Sequence, residues 1–142
     1  EALRRQIDAI DDELTEALRQ VCLFTKGDHS YLFLADKDNQ TVRMRYHWSS
    51  PNAPPLVPEA RTIFVKKQPW ATRNLALGKP LHIPKLSAMP ARTEKFRRKL
   101  AELGFKSFLN VPLLRDGHLI GFLGFSTFKE ERTWSQTDID LL

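Results

Sequence analysis

The hydrophobic pattern is most regular near the end of the chain, where two apolar runs flank the dipeptide Asp116-Gly117. Residues 106–114 and 118–128 place apolar side chains on both alternating faces of an extended chain. Such a strand is stable only where both faces of its sheet are covered. Asp-Gly between two strands is also a strong signal for a hairpin turn. We therefore predict a closing β-hairpin in a sheet that other elements cover on both sides.

The first 24 residues carry a seam with heptad-like spacing. Its apolar positions are separated alternately by four and three residues, which is typical of a helix with one apolar stripe, and they are Leu3, Ile7, Ile10, Leu14, Ala17 and Val21. Leu18 widens the stripe, as a helix packed on a domain requires. Two interpretations are open: the seam pairs with a second copy of the helix in a dimer, or the helix only covers its own sheet.

An antiparallel strand pair is predicted next, at residues 30–36 and 41–48, joined by a polar turn. Strict alternation along the second strand would divide its side chains between two faces. One face would carry Val42, Met44, Tyr46 and Trp48, and the other would carry Arg43, Arg45 and His47.

Proline and glycine punctuate the middle of the chain. Four prolines within residues 49–58 exclude a helix or a central strand and predict a surface loop, which in a sensing domain could cover a pocket. Pro69 suits the first turn of a helix, and Gly78 suits the position after its end. The other elements predicted here are short strands at residues 61–65 and 81–83 and a basic amphipathic helix at residues 92–103.

Two details near the C-terminus carry further predictions. Pro112 cannot donate a hydrogen bond to a neighbouring strand, so we expect a sheet edge or a bulge there. Ser135 and Asp138 have the spacing of a capping box and predict the start of a helix.

The predicted order is helix, two strands, loop, helix, strand, helix, two strands, helix, which favours an antiparallel-rich α+β fold. A chain of 142 residues suits one domain. We divide it into an amphipathic helix at residues 1–24, a core at residues 25–134, and the start of a truncated helix at residues 135–142. The sequence is interpreted as a fragment of a longer protein.

The chain resembles a GAF domain over nearly its whole length. The segments that carry the resemblance, by their order and spacing, are Pro69-Trp70 and residues 77–84, 104–113, 117–125 and 132–135. The sequence is similar to the variants found in bacterial multidomain signalling proteins, including sensor histidine kinases of two-component systems and diguanylate cyclases.

The resemblance implies a PAS-like fold: a central six-stranded antiparallel sheet with helices on both faces. It implies a cytoplasmic, non-enzymatic regulatory domain in signal transduction, which binds a small ligand or a partner and passes its state through the terminal helices. It also implies a homodimer joined through those helices and an output domain downstream in the same chain. The alternative is a structural dimerisation module without a ligand, because a shared fold does not identify a ligand.

Charge is concentrated in the middle of the chain. The net charge is +5, yet residues 61–106 alone carry 12 basic and 2 acidic side chains. Such a cluster can attract anions, or it can simply be a solvated face. The segment lacks a recognition-helix pattern or an interleaved aromatic strand, which argues against nucleic-acid binding. No apolar run is long enough for a membrane helix.

Six side chains are candidates for lining a ligand pocket, because aromatic walls with a few polar groups suit a planar molecule. They are Tyr46, Trp48, Trp70, Phe108, Asn110 and Phe122. The alternative is that they only fill the core. Arg43, Arg45 and the basic helix at residues 92–103 could receive an anionic ligand or an acidic partner. The identity of any cofactor is left open.

Covalent and metal chemistry is not indicated by the sequence. The single cysteine, Cys22, lies in the first helix, whereas bilin-binding GAF domains attach their chromophore in the pocket half of the domain, so we do not expect covalent bilin. No histidine has the spacing of a metal site, and the Gly-x-Ser-x-Gly turn of hydrolases is missing. Gly121 and Gly124 lie within a strand, where we expect them to let a helix approach the sheet. We assign no catalytic and no metal residues.

Overall fold

A computed structural model describes residues 1–142 and contains one sheet of six strands, in which every neighbouring pair is antiparallel. The strands are β1 His29–Ala35, β2 Thr41–Ser49, β3 Thr62–Phe64, β4 Leu81–Ile83, β5 Ser107–Arg115 and β6 His118–Thr127. Their order across the sheet is β3-β2-β1-β6-β5-β4. The helices are α1 Ala2–Thr25, α2 Pro69–Ala76, α3 Glu94–Leu103 and α4 Gln136–Asp140.

Both faces of the sheet are covered, as the two-sided apolar runs predict. On one face, Tyr31, Phe33, Phe108 and Phe122 share a buried cluster with Ala71 and Leu75 of α2 and Leu100 of α3. On the other, Leu109 and Phe125 pack with Trp134, Val21 of α1 and Ile139 of α4. Consecutive strand residues point to opposite faces, so the sheet separates two hydrophobic cores. We call these the cavity face and the helix face.

Helix ends follow the local sequence signals. Pro69 is the first residue of α2, and Gly78 and Gly104 have φ angles of 80° and 99° just beyond α2 and α3. These are left-handed conformations that a glycine adopts without strain. Ser135 and Asp138 form the predicted capping box at the start of α4. None of these helices is both long and apolar enough to cross a membrane.

Pro112 lies where the sheet has an open edge. β4 pairs only with Phe108–Asn110, so β5 has no second partner strand at Pro112, and a register shift follows between Leu113 and Leu114. The missing N–H of proline therefore costs little here, which confirms the predicted edge or bulge.

The predicted alternation along β2 is wrong. The pairing of β1 with β2 shifts register between Leu32 and Phe33, so that Phe33 lies opposite Met44 while Leu32 lies opposite Tyr46. The extra residue reverses the faces of the side chains that follow it. Met44 therefore lines the cavity face, while the hydroxyl of Tyr46 donates a hydrogen bond to Asp11 of α1.

The expected role of the β6 glycines also needs correction, because they accommodate sheet neighbours rather than a helix. A Cβ on Gly121 would lie 2.1 Å from the carbonyl oxygen of Phe33 in β1. A Cβ on Gly124 would lie 2.4 Å from Cε1 of Tyr31 and 2.5 Å from Oδ1 of Asn110. Glycine is therefore required at both positions by close approach of β1 and β5 groups.

Candidate functional site

A cavity of about 730 Å³ lies on the cavity face of the sheet. This volume is within the usual range of small-molecule sites. Most of the residues that line it are hydrophobic, and seven aromatic side chains contribute: Tyr31, Phe33, Phe64, Phe96, Phe105, Phe108 and Phe122. The molecule therefore has room for a largely apolar ligand with flat surfaces.

Strands form the floor of this cavity, and α3 together with the proline-rich loop forms its cover. On the floor, the rings of Phe33 and Phe122 are stacked with centroids 4.7 Å apart and planes 11° from parallel. Phe96 and Leu100 of α3 and Leu56 of the loop line the cavity from other directions. The amphipathic spacing of α3 is what directs its apolar side chains to this interior.

Two amide side chains in the cavity wall are not fully paired. Oδ1 of Asn110 on β5 and Oε1 of Gln68, just before α2, are buried and accept no hydrogen bond. Leaving a buried polar atom without a partner costs roughly 1–3 kcal/mol. Asn110 can lie this close to the sheet because Gly124, opposite it in the β5–β6 pairing, has no side chain.

Most of the charged side chains at the cavity are already paired. Arg43 contacts Asp36 at 2.7 Å, and Lys99 contacts Glu59 at 2.7 Å. Arg45, which does not line the cavity, also contacts Asp36 at 2.7 Å. Hydrogen bonds from Thr41 and Arg43 lower the pKa of Asp36. The two arginines that the sequence suggested for an anionic ligand therefore hold a neighbouring carboxylate instead.

Lys67 is the exception among the cations that line the cavity. Its Nζ lies 5.1 Å from the ring centroid of Phe64 and forms no salt bridge with a carboxylate. A cation held only by an aromatic face can accept an anionic group. The cavity rim therefore offers one ammonium group in addition to the two amides.

Three of the six predicted pocket residues line the cavity: Phe108, Asn110 and Phe122. Tyr46, Trp48 and Trp70 do not line it. Tyr46 contacts Asp11 through a hydrogen bond of 2.7 Å, which raises the pKa of the phenol. Trp48 pairs with Ser30, whose hydroxyl bonds to α1, and Trp70 packs against the cavity-face core from α2.

Several lining residues were not predicted from the sequence, notably Phe33, Met44, Leu56, Lys67 and Gln68. Most of them are apolar residues whose side-chain direction depends on the bulge or on the path of the loop.

Two histidines that are far apart in the sequence form a pair beside the cavity. Nδ1 of His29 lies 2.8 Å from Nε2 of His47, and Nε2 of His29 lies 2.6 Å from the carbonyl oxygen of Pro54. That carbonyl can only accept, so His29 donates from Nε2 and accepts at Nδ1, and His47 donates from its Nε2. Burial lowers the pKa of both rings, to about 4 for His47.

The spacing of the histidines along the sequence did not predict this pair. The ring nitrogens point at one another and no group of three or more His, Cys, Asp or Glu side chains is arranged to hold a metal ion. The arrangement instead connects β1, β2 and the proline-rich loop.

Cys22 lies in α1, away from the cavity. Its thiol donates to the carbonyl oxygen of Gly27 at 3.2 Å, and burial raises its pKa to about 11. A neutral thiol is a poor nucleophile, and this one does not line the cavity. The thiol therefore lies outside the group of side chains that a molecule in the cavity would contact.

The seam on α1 is only partly used by this chain. Leu3, Ile7 and Ile10 are 68%, 49% and 52% exposed. Leu14 and Val21 are half-buried, Ala17 is exposed, and it is Leu18 and Cys22 that are fully buried against the sheet. The N-terminal part of the seam is therefore an apolar surface without a partner in the monomer.

Comparison with known proteins gives one family. The family model described as GAF domain matches residues 9–142. The methanogenesis regulatory histidine kinase FilI of Methanothrix harundinacea (strain 6Ac) is 27% identical, over 94% of this chain and 15% of its own length. This chain thus spans less than a fifth of that relative.

Solved structures show the same fold at low identity. The blue-light absorbing form of the Thermosynechococcus elongatus PixJ GAF domain has a TM-score of 0.74 at 19% identity, covering 95% of this chain and 79% of its own. The phycocyanobilin-bound GAF domain of a cyanobacterial phytochrome has a TM-score of 0.75 at 18% identity, covering 98% and 81%.

Proposed function

Because this chain belongs to the GAF domain family, we propose that it is the regulatory domain of a sensory signalling protein. It binds a small ligand non-covalently in the cavity and passes the bound state to α1 and α4. The observation that carries this proposal is the division of the molecule by its sheet. A cavity with incompletely paired amides lies on one face, and both terminal helices lie on the other.

The chemistry of the cavity wall supports a particular kind of ligand. Aromatic rings favour a flat, mostly apolar body. The unpaired side-chain oxygens of Asn110 and Gln68 can accept hydrogen bonds from N–H or O–H groups of a ligand. Lys67 favours an anionic group of the ligand at the rim. The phycocyanobilin of one structural relative is an example of a large ligand. Here such a molecule would be held without a thioether, because Cys22 is the only cysteine of the 142 residues.

A regulatory rather than catalytic role is supported by the same side chains. The two buried polar atoms of the wall that lack a hydrogen-bond partner belong to amides, which neither ionise nor transfer protons near neutral pH. The phenol of Tyr31 also lines the cavity, and burial raises its pKa. The lysine and glutamate that face each other at the cover, Lys99 and Glu59, are engaged in a salt bridge.

Transmission requires that the ligand binds one arrangement of the terminal helices more tightly than another, because tight binding alone shifts no equilibrium. We propose that the domain forms a homodimer through α1 and controls an output domain in the same chain. The regulatory kinase FilI supports an output of that class. We place this activity in the cytoplasm.

A structural dimerisation module that binds no ligand is the second candidate. The exposed apolar side chains at the start of α1 favour it, since they support dimerisation whether or not the cavity is filled. The two candidates differ only in the cavity, which is where the decisive experiment must be made.

Anilinonaphthalene sulfonate is a suitable probe, because it combines flat rings, one N–H donor and one sulfonate. We expect saturable binding with one molecule per chain, detected by fluorescence titration and native mass spectrometry. Asn110→Leu and Lys67→Gln should each weaken binding by about tenfold, the equivalent of about 1.4 kcal/mol.

Lys79→Gln is the matched control, because Lys79 is exposed and does not line the cavity. Its affinity should equal that of the wild type. Absence of saturable binding to the wild type, or equal affinities for all variants, would exclude the cavity as the ligand site and leave the structural module.

A further inference from the structure

The junction between α1 and β1 is bonded to several distant parts of the chain. The carbonyl oxygen of Asp28 accepts from the N–H of Ser50, where the proline-rich loop begins, at 2.9 Å. The Asp28 carboxylate accepts from the N–H of Phe128 at 2.6 Å. The indole of Trp134, just before α4, donates to the carbonyl oxygen of Thr25 at 2.9 Å. Loop, sheet and both terminal helices therefore meet within a few residues.

On the cavity side of this junction, His29 holds the loop. Its ring is 1% exposed and bonds to the carbonyl oxygen of Pro54 at 2.6 Å. His47 fixes the other ring nitrogen at 2.8 Å, and the ring of Phe128 packs edge-on with centroids 4.9 Å apart. Since Leu56, two residues after Pro54, lines the cavity, His29 is attached to the segment that a ligand would contact.

On the helix side, the next residue holds α1. Ser30 is fully buried, and its hydroxyl donates to the carbonyl oxygen of Leu18 at 2.7 Å. That carbonyl lies in the part of α1 that packs on the sheet. Adjacent strand residues project to opposite faces. His29 therefore bonds to the loop on one face of the sheet, and the next residue, Ser30, bonds to α1 on the other.

We propose that the dipeptide His29-Ser30 couples residues 50–57, the part of the proline-rich loop that lies between β2 and Pro58, to α1 through the sheet. His29 is the positioning residue on the cavity side and Ser30 its counterpart on the helix side. As far as ligand control is concerned, this inference rests on the proposed function. A ligand that moves Leu56 moves the carbonyl of Pro54, and the buried pair of hydrogen bonds transfers that movement to Leu18.

The coupling has a test that needs no ligand, because energetic coupling between two sites is reciprocal. Hydrogen exchange is measured on the full 142-residue chain for His29→Leu, Ser30→Ala and the exposed control His118→Leu. His29→Leu should raise exchange at residues 21–25 of α1 by about tenfold, and Ser30→Ala should raise exchange at residues 52, 53, 56 and 57 of the loop to a similar extent.

His29→Leu must therefore raise exchange in α1, and Ser30→Ala must raise exchange in the loop. His118→Leu must change exchange in neither segment. Effects confined to the near side, with the loop responding only to His29→Leu and α1 only to Ser30→Ala, would overturn the coupling. The small change Ser30→Ala keeps the test valid should His29→Leu lose its fold.

A second measurement separates this inference from the proposed function. With saturating anilinonaphthalene sulfonate, exchange in α1 should change in the wild type and not in His29→Leu, while both proteins bind the probe. The same response in both proteins would overturn the coupling and leave the ligand site intact. Failure of the probe to bind would refute the ligand site, and the ligand-free comparison would still decide the coupling.

Discussion

At the scale of single residues, Gly121 and Gly124 of β6 allow groups of the neighbouring strands to approach the β6 backbone closely. A Cβ added at Gly121 would first meet a backbone atom, the carbonyl oxygen of Phe33 in β1. A Cβ added at Gly124 would first meet side-chain atoms, those of Tyr31 and Asn110. A backbone atom moves only if the strand pairing moves, whereas side chains can rotate into the cavity. The two positions therefore differ in what a methyl group would cost.

We expect Gly121→Ala to lower the free energy of unfolding by about 3 kcal/mol or more, and Gly124→Ala by about 1–2 kcal/mol. Gly124→Ala should also weaken binding of anilinonaphthalene sulfonate, because it displaces Asn110. Urea denaturation at neutral pH measures both losses. An alanine at position 121 that costs no more than one at position 124 would contradict the close approach of β1.

The sequence identified Asn110 because it is an amide within an otherwise apolar strand, and it identified Phe108 and Phe122 because aromatic side chains suit a pocket wall. It misplaced Tyr46 and Trp48 because the bulge opposite Leu32 has no signature in composition. The sequence did not predict the hydrogen bond between His29 and His47, because these residues are distant in the sequence and only the pairing of β1 with β2 brings their rings together.

At the scale of elements, only the C-terminal part of α1 has residues fully buried against the rest of the chain. All of the first ten residues are exposed, although helices of roughly 12–15 residues are only marginal when they lack tertiary contacts. The first burial in the seam comes at Leu14, and full burial comes at Leu18. A second copy of α1 would give the exposed part of the seam the contacts that the monomer does not provide.

Ile10→Asp should therefore weaken dimerisation by about tenfold or more while leaving the sheet folded, because a carboxylate would be buried in the seam. Sedimentation over a range of concentrations gives the dissociation constant. Ala9→Asp is the matched control, since it adds the same charge at an exposed position outside the seam. If both variants dimerise equally well, the seam is not the interface.

Elements were predictable where their signals are local. Turn glycines, the helix-starting Pro69 and the capping box of α4 act within a few residues of themselves, and the structure contains them all. The path of the proline-rich loop was not predictable, because it is held by His29 and Asp28, more than 20 residues away.

At the scale of the whole molecule, the sheet separates two hydrophobic cores. The pair His29 and His47 belongs to the buried part of this framework and must stay neutral to keep its hydrogen bonds. Burial lowers the pKa of both rings. The positive charges of a protonated His29 and of Arg61 lower the pKa of His47 further. The hydrogen bond to the carbonyl of Pro54 and the charge of Asp28 raise the pKa of His29 without reversing the effect of burial.

Stability should consequently fall as the solution is acidified. Both pKa values lie below 6.5, so the unfolded chain takes up protons first, and the free energy of unfolding decreases as pH falls from 6.5 towards about 4 for His47. From about pH 7.5 to about pH 5, His47 alone should account for a loss of about 2 kcal/mol. His47→Gln keeps a donor for His29 and cannot titrate, so the free energy of unfolding of this variant should depend less steeply on pH. Urea denaturation at a series of pH values measures these slopes, and identical slopes for His47→Gln and the wild type would show that the pair is solvated rather than buried.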